Sequence, residues 1–152
     1  MVFIKNKFGF SLIEVLVFVT ILGLFFVAAV SVTTFSLKNM KINEHKIVAT
    51  HFAEEGLEWI KSEKEGDWGV FIGKDTSSGS GTSYCLNDLN WSTIGNCGEV
   101  YPLGTPSSFK REVTLKNINT PTSEVDIEII VNWIEGNQTM NIPIKSVVNL
   151  WE

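Results

Sequence analysis

KFGFSLIEVL, residues 7–16, places a carboxylate where solvation disfavours one. The apolar run that begins at Phe8 continues to Val32, and Glu14 is the only ionised side chain within it. A carboxylate near the middle of a bilayer costs about 2.5–3.5 kcal/mol even on mild insertion scales. The residues around Glu14 decide what kind of chain keeps a charge there.

Three readings compete. A secretory signal peptide has a basic start, a short apolar core and a small-residue cleavage site. Lys5 and Lys7 supply the start, and Val27-Ala28-Ala29 passes as the site, but the run is too long and contains Glu14. A plain transmembrane anchor fits the length, since about 20 apolar residues span the hydrocarbon. It leaves the glutamate unexplained. The third reading cuts the chain between Gly9 and Phe10, which makes Glu14 the fifth residue of the mature protein.

Gly9, Phe10, Ser11, Leu12, Ile13, Glu14, Val15 and Leu16, preceded by a short leader with lysines, resemble the processing motif of the type IV pilin and pseudopilin superfamily. That motif is a glycine, an aromatic, a Ser/Thr, two apolar residues and a glutamate. The resemblance implies a prepilin peptidase that cuts after Gly9 and methylates the new amine of Phe10. It also implies that Glu14 pairs with the N-terminal amine of a neighbouring subunit during assembly. An α-amine titrates near pH 8 and is largely cationic at neutral pH, so such a pair offsets part of the desolvation cost. The bland alternative for Glu14 is a hydrated residue near a helix end.

The remaining residues bound the partners. The formal charge is −5, and removal of the first nine residues takes Lys5 and Lys7 away, leaving 10 basic against 17 acidic side chains, or −7. An acidic chain without a Lys/Arg cluster is a poor ligand for phosphate backbones, so no nucleic acid is expected. Cys85 and Cys97 lie 12 positions apart in a Gly/Ser/Asn-rich stretch that fits no common zinc spacing. An even count beyond a membrane segment suggests a disulfide, two free thiols being the alternative.

From Thr33 to Glu65 there is no proline, and Gly56 is the only glycine. Ala49, Phe52, Ala53, Gly56, Leu57 and Ile60 recur at helical spacing with charges between them. One helix from Phe10 to Lys64 would run roughly 80 Å, a length natural for a filament subunit. Gly56 on the apolar face permits close approach of a strand.

Residues 73–108 read as loop, with Gly73–Gly81 expected to be mobile. Three strands follow: one around Val113 and Leu115, one carrying Val125, Ile127, Ile129, Val131 and Trp133 in strict alternation, and one carrying Ile142, Ile144, Val148 and Leu150. Thr120-Pro121-Thr122 and Glu135-Gly136-Asn137-Gln138 are the turns between them. Pro143 cannot donate to a ladder, which makes the third strand an edge.

The expected fold is α+β, a long N-terminal helix packed against a small antiparallel β-meander, as the resemblance also implies. The expected organisation is a leader at 1–9, a membrane-spanning half-helix at 10–32, an amphipathic half at 33–65, and a globular β-domain at 66–152 containing the 73–108 loop region. His51-Phe52-Ala53-Glu54-Glu55-Gly56-Leu57-Glu58-Trp59 is similar to a stretch of PilV-like minor pilins. The Val131–Trp151 hairpin is similar to that group and to small pseudopilins of type II secretion.

Catalytic chemistry is not legible. His45 and His51 fall on different helix faces, and His51 with Glu55 makes only two ligands, so no metal or other cofactor is expected. Asp67, Asp75 and Asp88 lack the alternating oxygen ligands of a calcium loop. No nucleophile–base arrangement or phosphate loop is present, so the chain reads as no enzyme. Asn90-Trp91-Ser92 and Asn137-Gln138-Thr139 match the glycosylation sequon, a short pattern that recurs by chance.

The reading is a structural subunit, a minor pilin or pseudopilin of a type IV pilus or type II secretion-like filament. Its implied partners are other pilin subunits, prepilin peptidase, an inner-membrane assembly platform and membrane lipid. Its implied place is the cytoplasmic membrane, crossed once with the C-terminal domain extracytoplasmic, and then the filament. The rival reading is a membrane-anchored binding domain that never polymerises.

Overall fold

Ala49, Ala53, Gly56, Ile60 and Lys64 are the buried residues of α1, a helix of 55 residues from Leu12 to Gly66. Their spacing of three and four puts them on one stripe. The small residues at 49, 53 and 56 let a sheet approach that stripe closely. The computed structural model describes residues 9, 11–77, 80–104, 108–119 and 124–150. The chain divides between Lys41 and Ile42 into two units. In the first, the apolar window of α1 is exposed among the described residues.

In the second unit, α1 ends at Gly66, and Asp67 leaves helical geometry (φ −156°, ψ 101°) to cap a second helix, α2 (Trp68–Ile72). The Asp67 side chain accepts from the Val70 N–H, the capping role that short acidic side chains favour. Four strands follow: β1 (Thr82–Cys85), β2 (Phe109–Asn119), β3 (Glu124–Glu135) and β4 (Gln138–Asn149). They form one sheet in the order β1-β2-β3-β4, every pairing antiparallel. The architecture is therefore the expected α+β one, and β4, with Pro143, is an edge.

Alternation along β3 sets the core. Val125, Ile127, Ile129, Val131 and Trp133 all point inward with at most 1% exposure. Fully burying side chains of this size stabilises by roughly 1.5–3 kcal/mol each. From β2 the inward positions are Phe109, Arg111, Val113 and Leu115, paired in register with Trp133, Val131, Ile129 and Ile127. The β3–β4 hairpin closes through Gly136-Asn137, with Glu135 paired to Gln138. Gly136 takes φ 62°, the left-handed value a type II′ turn requires at its first central position.

One expectation needs correction. The stretch 73–108 is not loop throughout, because β1 pairs Thr82–Cys85 with Glu112–Leu115 at the opposite edge from β4. Thr82 and Tyr84 are its buried positions, and four residues are too few for alternation to stand out. Lys74–Ser77 make contacts that the composition did not announce. Asp75 ties this segment to β1 and β2, as described below. The Thr120-Pro121-Thr122 turn lies outside the described residues.

Candidate functional site

The site indicated by the sequence is the start of α1. The Ser11 backbone carbonyl accepts from the Val15 N–H, opening the helix just ahead of Leu12. Gly9 and Glu14 are exposed, and Phe10 lies outside the described residues. Glu14 stands in the first turn, where the helix dipole favours a negative charge. It sits among exposed apolar side chains, with Ile13 at 63% and Phe18 at 64%. Among the described residues Glu14 has no hydrogen-bond or ion-pair partner.

The other polar side chains of the apolar segment behave differently. The hydroxyls of Thr20, Ser31, Thr33 and Thr34 each donate to a carbonyl three or four residues back, at 2.8–2.9 Å. Such groups carry their own acceptor into hydrocarbon. Glu14 is the one ionisable group of this segment, and its carboxylate needs a donor from elsewhere.

Cys85 and Cys97 are bridged. The Cys97 N–H donates to Glu112 at 2.8 Å, and the Cys85 N–H to the Thr93 carbonyl at 3.0 Å, so the closed loop is pinned to β2 and to itself. Trp91, inside that loop, packs on Trp59 and Tyr84 with centroids 4.8 and 5.1 Å away. Its indole N–H donates to Glu63 of α1 at 2.8 Å.

Asp75 accepts four hydrogen bonds: from the Ser77 N–H and hydroxyl, the Thr82 hydroxyl and the Asn117 N–H, at 2.8–3.1 Å. Burial by itself pushes the carboxyl up. The four donors outweigh it and hold the group below its ordinary 3.8. Burial pushes the Tyr84 phenol up from 10.0, and the Asp75 charge adds to that. Asp75 is a structural tie between the α2–β1 segment and β2.

Arg111 and His45 each make a pair that joins α1 to the sheet, and neither pair is evident in the sequence because the partners lie far apart along the chain. Arg111, 1% exposed, donates from Nε to the Leu86 carbonyl at 3.1 Å. Its Nη1 donates to the Phe52 carbonyl at 2.6 Å and to Glu55 at 2.7 Å. His45 meets Glu135 at 2.5 Å and lies edge-on to Phe109. Glu55 is thus engaged by Arg111, while His51 is exposed. Among the described residues no three His, Cys, Asp or Glu side chains are grouped as a metal requires.

An open groove of about 370 Å³ on the outer sheet face is lined by Lys116, Asp126, Glu128 and Lys145 among others. Lys145 and Glu128 pair at 3.1 Å.

Comparison with known proteins points to the N-terminal site. Residues 4–30 match the family described as the prokaryotic N-terminal methylation motif. The match spans Gly9, Phe10 and Glu14, so the segment carries a type IV pilin-like motif, the kind that prepilin peptidase processes. No curated protein and no solved structure matches the chain.

Proposed function

We propose that the chain is a structural subunit, a minor pilin or pseudopilin, of a type IV pilus or type II secretion-like filament. The observation that carries this reading is Glu14, the one ionisable side chain of the apolar run, lying within the matched methylation motif. Prepilin peptidase removes residues 1–9 and methylates Phe10. Residues 10–32 then hold the subunit in the cytoplasmic membrane with the β-domain outside. On assembly the Glu14 carboxylate pairs with the cationic amine of a neighbouring Phe10, and lipid around the helix gives way to other subunits.

The resemblance of residues 51–59 to PilV-like minor pilins supports a minor role. Glu55 and Gly56 of that stretch are the residues that receive Arg111. The test is recovery of the mature chain in filaments sheared from cells or from an over-assembling strain. A mature chain that stays wholly in the membrane fraction of assembling cells favours the rival, an anchored domain that does not polymerise.

A further inference from the structure

Two turns at different places in the β-domain share a pattern that filament assembly does not use. Of the twelve asparagines in the chain, only Asn90 and Asn137 have a Ser or Thr two positions on with no proline between. Each also has an acidic residue two positions before it, giving Asp88-Leu89-Asn90-Trp91-Ser92 and Glu135-Gly136-Asn137-Gln138-Thr139. In both, the residue before the asparagine is left-handed: Leu89 at φ 48° and Gly136 at φ 62°. Leu89 is the only non-glycine residue with positive φ among the described residues, a conformation uncommon for a leucine. The two asparagines and the hydroxyl residues Ser92 and Thr139 are all exposed.

We infer that Asn90 and Asn137 are acceptors for N-linked glycosylation, the donor being a glycosyl group carried as a lipid-linked diphosphate. At Asn90 the carboxamide is already oriented. Its Oδ1 accepts from the Ser92 N–H at 2.9 Å and from the Ser92 hydroxyl. Its Nδ2 donates to the Asp88 carbonyl at a long 3.5 Å. In the transfer, Nδ2 forms a bond to the anomeric carbon and the bond from that carbon to the diphosphate oxygen breaks. The diphosphate leaves with the electron pair, and one Nδ2 proton passes to a base of the transferase. The carboxylate two residues before gives a basic transferase groove a charge to read. Trp91 pins its loop in the folded domain, so transfer at Asn90 precedes the docking of Trp91. The hairpin tip at Asn137 has no packed tryptophan, but Glu135 meets His45 in the folded domain, so its carboxylate is open to a transferase groove before that pair closes.

This inference rests on the extracytoplasmic placement of the domain. The test is the intact mass of the full chain purified without reductant from its own cells, for wild type, Asn90→Gln, Asn137→Gln, Ser92→Ala, Ser92→Thr and Asn96→Gln. The expected result is two glycan increments in wild type, one lost in each of Asn90→Gln, Asn137→Gln and Ser92→Ala. Ser92→Thr, which keeps the hydroxyl, and Asn96→Gln, outside the pattern, retain both. Bare asparagines in a chain whose cysteines are bridged overturn the inference and leave the placement standing. Bare asparagines with two free thiols overturn both. Glycan on only one of the two, or increments that survive the Gln variants, also overturns it.

Discussion

Gly56 and Arg111 share one space in the core: a Cβ on residue 56 would stand 2.8 Å from Arg111 Cδ. The helix gives up a side chain so that a buried guanidinium from the strand opposite can cross it and reach the Phe52 carbonyl and Glu55. Arg111 cannot swing aside, because it is 1% exposed and bonded at both ends.

Gly56→Ala therefore destabilises the β-domain, although alanine favours a helix interior by about 1 kcal/mol. Overpacking of a filled core costs about 1–3 kcal/mol, and the net expectation is a lower unfolding midpoint in detergent-solubilised protein. In an Arg111→Ala background the same substitution becomes neutral or stabilising. Equal losses in both backgrounds would show that the clash with Arg111 is not the cause.

Asp75 predicts an acid limb of stability. Its folded pKa lies below the ordinary 3.8, so its contribution is fully present above that value and is lost as pH falls through the depressed folded pKa. Asp75→Asn lowers the urea midpoint at neutral pH and flattens its fall below about pH 4. Parallel curves for wild type and variant would remove Asp75 from that role.

The Cys85–Cys97 bridge closes a loop with a sequence separation of 12. Its removal in Cys85→Ser/Cys97→Ser costs about 3 kcal/mol by the chain-entropy estimate. Protein purified without reductant carries no titratable thiol under denaturing conditions. An unchanged midpoint in the double variant would show that Glu112 and the Thr93 carbonyl hold the loop unaided.

Glu14→Gln leaves the β-domain fold and the cleavage after Gly9 intact and lowers the share of mature chain in sheared filaments several-fold. Membrane insertion becomes slightly easier, since the desolvation cost falls. The comparison is filament-associated against membrane-bound mature chain, wild type and variant. Equal partition would reduce Glu14 to a hydrated residue near a helix end.

What was legible in the sequence was whatever repeats locally. The alternation from Val125 to Trp133 marked β3, the stripe from Ala49 to Ile60 marked the buried face of α1, and Pro143 marked β4 as an edge. β1 escaped because Thr82-Ser83-Tyr84-Cys85 is short and polar, and α2 because five residues carry no helical period. The pairs Arg111–Glu55 and His45–Glu135 join residues 56 and 90 positions apart, which no local pattern encodes. One signal was available for Arg111: extending the Val113/Leu115 alternation back by two places it inside, opposite a helix that offers a glycine. At the N-terminus the sequence motif carries nearly the whole argument, and α1 adds that Glu14 is exposed in its first turn.

The central claim, that this is a processed pilin-like subunit, is tested most directly by the mass of the N-terminal peptide of protein taken from the membranes of its own cells. The account predicts a chain that begins at Phe10 with one methyl group on its amine, and a Gly9→Val variant that keeps residues 1–9. A wild-type chain that retains its leader, or one cut near Ala28-Ala29 in the manner of a secretory signal, would contradict it.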